Sequence, residues 1–283
     1  MINSKFTIIT FYQFKKIEDI LIIKNDLSHF CKFNKIKGTI ILAEEGINGT
    51  IAGTAENIKK FELHLKRLGF TNYNSKYSYS KFTPFFRLKV RNKKEIVTLR
   101  SRDVDTENIT GKKIKPEDWN NLILNQKTIL IDVRNNFEVE MGTFKNSINP
   151  NTKSFTEFKS YIKNNLNKAK DKKIAMFCTG GIRCEKMSSY MIKKGFKDVN
   201  QLDGGILNYL EKTSQDNSLW NGECFVFDNR VSVKNELKDG TYDLCHACGY
   251  PVSQDMLKSK KYQKGISCSN CYDKISESKK QSL

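Results

Sequence analysis

The segment Ile174-Ala175-Met176-Phe177-Cys178-Thr179-Gly180-Gly181-Ile182-Arg183-Cys184 joins an apolar run to the start of a second regular element. Its first four residues are typical of a short buried strand, and the residues after Cys184 have the apolar spacing of a helix. The two glycines allow backbone N–H groups to converge on the sulfur of Cys178, and the helix N-terminus adds positive potential. Both effects favour the thiolate, which is the nucleophilic form of cysteine. The alternative is a structural cysteine in a strand-to-helix turn, because free cysteine is often buried.

The elements around this segment alternate between strand and helix. The apolar spacing predicts a buried strand over residues 128–134, a helix over 152–166, and a short strand over 199–202 followed by a helix through Leu210. This alternation predicts a parallel sheet covered by helices on both faces. Sites in such sheets lie at the carboxyl ends of the strands, and Cys178 follows one of these ends. The position favours a functional thiol, and we assign this α/β domain to residues 120–215.

Residues 1–100 indicate a separate α+β domain. Its strands are expected at residues 6–14, 38–52, 73–79 and 86–99, and its helices at residues 17–33 and 57–68. The order of strands and helices is that of a ferredoxin-like domain. Gly69 is expected to end the second helix.

Two glycines interrupt the second strand region within Ala43-Glu44-Glu45-Gly46-Ile47-Asn48-Gly49-Thr50. The stretch could be a functional loop, but a bulge or a tight turn explains it more simply. The 38–52 region is therefore either a strand pair or one long bent strand. A polar connection over residues 100–116 then leads into the α/β domain.

The last part of the chain, residues 216–283, has few periodic elements but contains two Cys-x-x-Cys pairs. Cys245 and Cys248 form the first pair, and Cys268 and Cys271 form the second. This spacing fits tetrahedral coordination of zinc by four thiolates, as in a zinc-ribbon-like segment. Four thiolates leave no open position for a substrate, so the site is expected to be structural. Four unliganded thiols are the alternative, and the spacing does not distinguish zinc from iron.

The composition argues against a membrane-spanning protein. The chain has no run of about 18 apolar residues, and residues 1–6 lack the charged and apolar regions of a signal peptide. We therefore expect a cytoplasmic protein with no membrane partner. In a reducing compartment, the eight cysteines are better explained as metal ligands or reactive thiols than as disulfides. Residues 276–280 indicate a disordered basic tail.

The formal net charge is +18, and the excess lies in the first two thirds of the chain. Residues 1–110 carry +9, residues 111–215 carry +8, and residues 216–283 carry only +1. Such a charge suggests a polyanionic partner, for which nucleic acid is the main candidate. A bias in the nucleotide composition of the gene is the alternative, because 41 of the 49 basic residues are Lys.

Aromatic residues alternate with basic ones near the end of the first domain. They are Tyr73, Tyr77, Tyr79, Phe85 and Phe86. Exposed rings beside cations would stack on bases and contact phosphates. We expect at least half of these rings to belong to the hydrophobic core instead.

Several motifs resemble those of known proteins. The central domain resembles a rhodanese domain in residues 130–135 with Phe137 and Glu138, in residues 142–144, in the Cys178 loop, and in residues 202–205. The whole chain resembles the rhodanese-like tRNA uridine(34) hydroxylases in residues 43–49, 177–186 and 220–231 and in the cysteine pairs. That family combines an acylphosphatase-like N-terminal domain, a rhodanese domain and a cysteine-paired C-terminal segment.

The resemblance implies oxygen-dependent hydroxylation of carbon 5 of uridine 34, the wobble position of tRNA, to 5-hydroxyuridine. Molecular oxygen is the implied co-substrate, and the anticodon loop of tRNA is the implied partner. The target base there is already single-stranded, so splaying it out costs little. Cys178 matches the active-site thiol of the family, at the position where rhodaneses carry a cysteine persulfide. No flavin, haem or mononuclear-iron motif is evident, so none of these cofactors is expected.

The rest of the loop is assigned to the active site around Cys178. These residues are Thr179, Gly180, Gly181, Ile182, Arg183 and Cys184. The amides of residues 179–183 are expected to cradle the thiolate. Arg183 holds a phosphate, stabilises the thiolate or forms a surface salt bridge. Cys184 either resolves an oxidised Cys178 or packs in the core, and packing is the favoured interpretation. Asp132 and Arg134 end their strand nearby and are expected to order the loop.

Two reaction classes compete for this thiol. The first is the tRNA hydroxylase, and the second is a sulfurtransferase that moves sulfur from thiosulfate to cyanide or to an acceptor protein. The basic N-terminal domain and the Trp220 segment favour the first, because a stand-alone sulfurtransferase needs neither. A zinc-bearing RNA-binding protein with a degenerate rhodanese unit is a weaker third hypothesis, against which the intact Cys178 argues. In the hydroxylase, Cys178 either adds to carbon 6 of uracil or carries a persulfide, and the residues do not distinguish these routes.

Overall fold

The computed structural model describes residues 5–274, so the tail expected at residues 276–280 lies outside the described residues. The first domain contains β1 (Phe6–Phe14), α1 (Ile20–Phe33), β2 (Lys37–Ala43), β3 (Gly46–Gly53), α2 (Ala55–Arg67), β4 (Asn74–Ser80) and β5 (Leu88–Asn92). These strands form one sheet in the order β4-β1-β3-β2-β5. Strands β2 and β5 pair parallel, and the other neighbours pair antiparallel. The ferredoxin-like arrangement is confirmed, and the 38–52 region is a strand pair.

Tight turns and a helix cap set the boundaries in this domain. Gly46 follows the β2–β3 turn with φ +144°, and a Cβ there would lie 2.0 Å from the carbonyl oxygen of Gln13. The glycine pattern in the 43–50 stretch is therefore that of a tight turn. Helix α2 begins after Thr54, whose hydroxyl accepts the N–H of Asn57 at 3.2 Å. Gly69 has φ +83° just after the end of α2, which confirms it as the stop.

The second domain is an α/β unit. It contains β6 (Lys112–Ile114), α3 (Pro116–Ile123), β7 (Thr128–Asp132), α4 (Asn136–Met141), β8 (Gly142–Phe144), α5 (Phe158–Tyr161), β9 (Lys173–Phe177), α6 (Ile182–Lys193), β10 (Asp198–Leu202) and α7 (Gly205–Lys212). Strands β6, β10, β9 and β7 form a parallel sheet in that order. One face packs under Phe158 and Met187, and the other under Trp119 and Tyr209. The parallel sheet with both faces covered is confirmed.

Three sequence expectations for this region need correction. The polar connection over residues 100–116 contains β6, and Pro116 is the first residue of α3. Strand β6 escaped notice because Lys112 and Lys113 are exposed at the sheet edge, so no apolar run marks it. The helix expected at residues 152–166 is broken into a 3-10 turn (Phe155–Glu157), α5 and a π-helical turn (Ile162–Leu166). The strand expected at residues 86–99 is confined to β5.

The remaining elements are short. They are β11 (Trp220–Gly222), β12 (Cys224–Phe225), β13 (Ser232–Val233), β14 (Asp243–Leu244), β15 (Pro251–Val252), α8 (Gln254–Leu257) and 3-10 turns at Asn167–Ala169, Gln215–Asn217, Asn235–Leu237 and Tyr272–Lys274. Strand β11 pairs with β8, so this last part is attached to the α/β domain by backbone hydrogen bonds. Within residues 5–274, no helix is both long enough and apolar enough to cross a membrane.

Candidate active site and metal centre

Cys178 lies at the carboxyl end of β9, one residue after the strand, and α6 begins four residues later. The turn depends on Gly181, which has φ +97° and precedes the first residue of the helix. A side chain at this φ would be strained, so glycine is required here. The N–H of Gly181 donates to the sulfur of Cys178 at 3.2 Å. The strand end and the helix start thus meet at one sulfur atom, as the sequence predicts.

The surroundings of Cys178 lower its pKa from about 9 to about 6. Burial alone would raise the pKa, because a charged sulfur loses its hydration. Hydrogen bonding from the thiol of Cys184, the charge of Arg183, and the backbone N–H groups of Cys184 and Gly181 more than offset that effect. Cys178 is therefore mainly a thiolate at neutral pH, although only 1% of its surface is exposed. The amides of residues 179–183 were expected to donate to the Cys178 sulfur. Within the described chain only the amide of Gly181 does so, and the amide of Cys184 is a second donor.

Cys184 is the immediate partner of Cys178. It lies in the first turn of α6 and is completely buried. Burial and the hydrogen bond to Cys178 raise the pKa of Cys184 well above its ordinary value, so it remains a protonated donor. Cys184 packs in the core, which is the favoured sequence interpretation, and it also stabilises the thiolate.

Arg183 forms a buried pair with Glu138 of α4. Its two terminal nitrogens donate to the Glu138 carboxylate at 2.6 and 2.8 Å, and one also donates to Thr179 Oγ1 at 3.2 Å. Glu138 is completely buried, and it also receives the N–H of Asn135 in a capping box at the start of α4. The pair is therefore not a surface salt bridge. The charge of Arg183 is close enough to Cys178 to lower the pKa of that thiol.

Glu138 is the main residue of the site to which chemical reasoning from the sequence assigned no role. The spacing of Asn135 and Glu138 is the available signal, because an Asn followed three residues later by Glu is typical of a helix start. That signal would have predicted α4 as well, which was also missed.

Asp132 and Arg134 form a second buried pair at the end of β7. Arg134 donates to Asp132 through Nε at 2.9 Å and through a terminal nitrogen at 2.6 Å, and neither side chain is exposed. Arg134 also donates to the carbonyl of Gly142 and lies 5.1 Å from the ring centroid of Trp220. The other side-chain hydrogen bonds of the pair join Gly142 and Thr143 of β8, and the Trp220 contact lies on β11, so the two side chains order that region.

The N-terminus of α7 fastens the Cys178 loop from the other side. The N–H groups of Ile206 and Leu207 donate to the carbonyls of Cys178 and Thr179 at 2.9 and 3.1 Å. Gly205 adopts φ +67°, and a Cβ there would lie 2.5 Å from the carbonyl oxygen of Cys178. Only glycine permits this approach, which gives the 202–205 stretch its physical role.

The first domain closes over the loop. Tyr12 of β1 donates to Glu185 of α6 at 3.2 Å, and its hydroxyl lies within 3.0 Å of where a Cβ on Gly181 would be. Burial, followed by the charges of Glu185 and Cys178, raises the pKa of Tyr12 well above its ordinary value. Glu185 also accepts from Gln201 at 3.0 Å and pairs with Lys113 at 2.7 Å.

A polar cavity of about 220 Å³ lies between the two domains. Its walls include Thr10, Tyr12, Asn74, Ser75 and Lys76 from the first domain and Gly180, Asp203, Gly204 and Asn208 from the second. Lys76 crosses the gap and donates to Asn208 Oδ1 at 2.5 Å. Gly180 of the Cys178 loop, which is partly exposed, lines this cavity. A substrate in this cavity would therefore meet both domains at once.

Lys186 joins the two domains. It is 2% exposed, and its ammonium donates to Glu45 at 2.8 Å, Glu95 at 2.5 Å and the carbonyl of Val97 at 2.8 Å. All three of its donors are thereby used. Glu45 belongs to the β2–β3 turn, so the tight turn in the 43–50 stretch also carries an interdomain contact.

The four paired cysteines come together at the end of the chain. The sulfur atoms of Cys245, Cys248, Cys268 and Cys271 all lie within 4.8 Å of one another. Closer pairs are separated by 3.7 Å (Cys248 and Cys268) and 3.8 Å (Cys268 and Cys271). Tetrahedral Zn–S bonds of about 2.3 Å require sulfur separations of about 3.8 Å. The cluster could therefore hold a metal ion such as zinc, and three of its four residues are buried.

Comparison with known proteins identifies both folded domains. Residues 6–96 match the UPF0176 acylphosphatase like domain, and residues 115–212 match the Rhodanese-like domain. Among solved structures, the chain is similar to a rhodanese-like domain protein from Staphylococcus aureus, with 27% identity, 35% of this chain and 90% of that chain covered, and a TM-score of 0.29. It is also similar to a rhodanese-related protein from Thermoplasma volcanium, with 25% identity, coverage of 36% and 92%, and a TM-score of 0.28. An acylphosphatase from Coxiella burnetii is 13% identical, with coverage of 32% and 100% and a TM-score of 0.26.

The TM-scores are low, so the domain assignment rests on the two family matches. The Cys178 loop, its buried Arg183–Glu138 pair and the parallel sheet all lie inside the second match. An acylphosphatase-like UPF0176 domain followed by a rhodanese-like domain matches the architecture of the rhodanese-like UPF0176 family.

Proposed function

We propose that this protein hydroxylates carbon 5 of uridine 34 in tRNA, with molecular oxygen as the co-substrate and Cys178 as the nucleophile. The observation that carries the proposal is an activated thiolate next to a polar cavity that two domains build together. A pKa of about 6 keeps Cys178 charged, and the cavity of about 220 Å³ opens beside Gly180. A sulfurtransferase that acts on small anions would not need the wall supplied by Tyr12 and Lys76.

The chemistry that the site supports begins with addition of the Cys178 sulfur to carbon 6 of uracil. The electron pair moves to carbon 5, which then bonds to molecular oxygen, and the distal oxygen takes up a proton to give a hydroperoxide. Two molecules of a low-molecular-weight thiol supply two electrons and two protons, are oxidised to a disulfide, and reduce the hydroperoxide to a hydroxyl and water. Loss of the carbon 5 proton and of the Cys178 thiolate restores the double bond and gives 5-hydroxyuridine.

Residues of this chain have separate roles in that sequence. Arg183 and the thiol of Cys184 stabilise Cys178 as the attacking and leaving thiolate, since both lower its pKa. Asn208 and Lys76 offer hydrogen-bond donors in the cavity to carbonyl oxygens of the base, where negative charge develops. Cys178 is covered by its own loop, so residues 179 and 180 must move aside when the base enters.

The proposal is tested with an unmodified tRNA transcript, a dithiol and isotope-labelled molecular oxygen. We expect mass spectrometry of the digested nucleosides to show one labelled oxygen in the uridine of position 34. Cys178→Ala should abolish the product, and wild-type protein should form a covalent adduct with 5-fluorouridine tRNA. Full turnover by Cys178→Ala, or the absence of labelled product under all reductants, would contradict the proposal.

Sulfur transfer is the second candidate, and the match to a rhodanese-like domain favours it. The Cys178 thiolate would attack the outer sulfur of thiosulfate, form a persulfide and release sulfite. Cyanide would then take the outer sulfur as thiocyanate and regenerate the thiolate. Sulfite and thiocyanate release, measured against the rate of uridine hydroxylation, decides which activity is the main one.

A further inference from the structure

We propose that the chain holds a single-stranded RNA loop on a surface formed by Lys81, Phe82, Phe86, Arg87 and Phe227. This aromatic–basic surface rests on the proposed function, because it would hold the nucleotides that flank the target uridine. Four of its residues come from the segment after β4, and the fifth comes from the segment after the α/β domain.

The charge of the first segment is one-sided. Residues 71–94 contain seven Lys and Arg residues and no Asp or Glu. Within the part of the chain that the structure describes, Lys76 alone among these seven pairs with a carboxylate, that of Glu211 at 3.3 Å. Lys81 and Arg87 are exposed. Unpaired, exposed cations of one sign attract a polyanion.

Three large aromatic rings are exposed near these cations. The exposed fractions are 46% for Phe82, 75% for Phe86 and 61% for Phe227. Tyr79 is exposed too, but strand alternation places it on the face of Tyr77, opposite Lys76 and Ser78. Tyr73 and Tyr77, in contrast, pack against the core of the first domain and bond to Glu62. The aromatic residues of this region are therefore divided between core and surface. Exposed apolar groups that lie together mark interaction sites, whereas single ones need no explanation.

The two segments are in direct contact. The N–H of Asn229 donates to the carbonyl of Pro84 at 2.9 Å, and its side-chain amide donates to the carbonyl of Thr83 at 3.1 Å. These bonds place Phe227 next to the loop that carries Phe82 and Phe86. The ring of Phe227 is further held edge-on against Phe225 at 5.0 Å between centroids.

A narrow cleft leads from this surface toward the active-site loop. Its volume is about 40 Å³, and it is lined by Lys76 and Ser78 of β4, by Phe227 and Arg230, and by Thr179. Thr10 and Lys76 line both this cleft and the larger cavity beside Gly180. A chain of nucleotides on the surface would thus lie beside the cavity proposed for the target base.

The combination of groups selects the occupant. Phosphates bind Lys81 and Arg87, whereas the open faces of unpaired bases stack on the three rings. A duplex offers its phosphates but not its base faces, so it would use only half of this surface. An acidic protein would likewise engage the cations without needing a row of exposed rings.

The test is the affinity for a fluorescent anticodon stem-loop, measured by anisotropy with the full chain. We expect Phe86→Ala with Phe227→Ala to weaken binding at least about tenfold, because each stacked base contributes about 1–3 kcal/mol. The matched control is Phe33→Ala. Phe33 is 87% exposed but lies on α1, outside the proposed surface, so this variant should bind the stem-loop with the wild-type affinity.

A charge variant tests the second half of the surface. Lys81→Gln with Arg87→Gln should reduce the slope of log affinity against log salt by about 1.4, since each phosphate contact to a single strand contributes about 0.7. The control pair is Lys168→Gln with Lys172→Gln, which are exposed residues outside the surface. Alkylation of Cys178 should proceed at the wild-type rate in all four variants, which verifies that they are folded.

The outcomes separate this proposal from the proposed reaction. Loss of loop affinity in the surface variants supports the surface even when the wild type forms no 5-hydroxyuridine. Formation of 5-hydroxyuridine with an unchanged KM in both surface variants would overturn the surface and leave the reaction standing. Equal affinity of the wild type for the bare duplex stem, or displacement of the RNA by polyglutamate of equal charge, would also overturn it.

Discussion

The low pKa of Cys178 depends on a hydrogen-bond donor, the thiol of Cys184, in the first turn of α6. Cys184 keeps its proton because burial and the neighbouring thiolate raise its pKa, so its S–H can only donate toward Cys178. The two cysteines therefore have complementary roles: Cys178 carries the negative charge, and Cys184 on the helix carries the proton. Arg183 adds the compensating positive charge, and Glu138 fixes its position.

Cys184→Ala should raise the pKa of Cys178 from about 6. A hydrogen bond to a charged group contributes about 1.5–3 kcal/mol, which corresponds to a pKa about one to two higher. The rate of alkylation by iodoacetamide, measured from pH 4 to 10, reports this pKa. Because the thiolate is the reactive form, the wild-type rate should fall as the pH falls through about 6.

Cys184→Ser is the matched control for that experiment. Its hydroxyl retains a donor at the same position, so the titration of Cys178 should stay close to that of the wild type. An identical profile for the alanine variant and the wild type would mean that Cys184 only packs.

At the scale of elements, α4 positions the loop although it lies in a different part of the chain. Its capping box brings Glu138 to the centre of the α/β domain, where the carboxylate accepts from Arg183 and Thr179. Helix α7 completes the arrangement with two N–H groups on the other side of the loop. The Cys178 loop is thus held between the starts of two helices.

Glu138→Gln should destabilise the protein by about 3 kcal/mol, because removal of one member of a buried ion pair leaves the other charge uncompensated. Urea unfolding followed by fluorescence measures the loss. Glu117→Gln on α3 is the control, since Glu117 is exposed and its replacement should change the stability very little. A loss in Glu138→Gln no larger than in this control would contradict the assigned role of the pair.

At the scale of the whole molecule, three units meet around one loop. The first domain supplies Tyr12 and Lys76, the α/β domain supplies the thiol, and the last part of the chain is attached through β11 and Asn229. Lys186 is the central polar contact between the first two. The relative position of the domains therefore determines the shape of the cavity.

Lys186→Met should weaken the contact between the two domains, because the carboxylates of Glu45 and Glu95 would then lie near each other without a cation between them. Loss of a charged hydrogen-bond donor costs about 2 kcal/mol here. We expect calorimetry to resolve two unfolding transitions where the wild type shows one, with faster tryptic cleavage between residues 95 and 115. Lys193→Met, an exposed change on the same helix, should leave a single transition.

Metal binding should matter for the C-terminal unit and not for the thiolate. We expect one equivalent of metal per chain by mass spectrometry, and its removal by a chelator should expose residues 245–271 to proteolysis, since such units fold with their metal. Cys271→Ser should lose the metal, whereas Cys31→Ser, a buried cysteine of the first domain, should retain it. Alkylation of Cys178 should keep its pH profile in the chelated protein.

Local patterns predict much of this molecule. The strand Phe6–Phe14 was predicted to the residue, and the end of α2 follows from Gly69. Strand β6 and helix α4 were missed, because a three-residue edge strand and a six-residue helix are too short to show a period. Among the five aromatic residues singled out in the first domain, the sequence does not distinguish Tyr77, which packs partly buried against the core, from the exposed Phe86, since both lie among cations.

The sequence by itself determined the class of each domain, the position of Cys178 between a strand and a helix, and the spacing of the four paired cysteines. These features depend on residues close together in the chain, whose periodicity and turn chemistry are local. Only the tertiary structure decided that Glu138 holds Arg183, that Lys186 joins the domains, and that Tyr12 and Phe227 approach the active-site loop. Those contacts join residues separated by 45 to 173 positions or by whole elements, and no local pattern specifies such a pairing. The Cys178 loop is local in origin, but its charge and its cavity are properties of the folded chain.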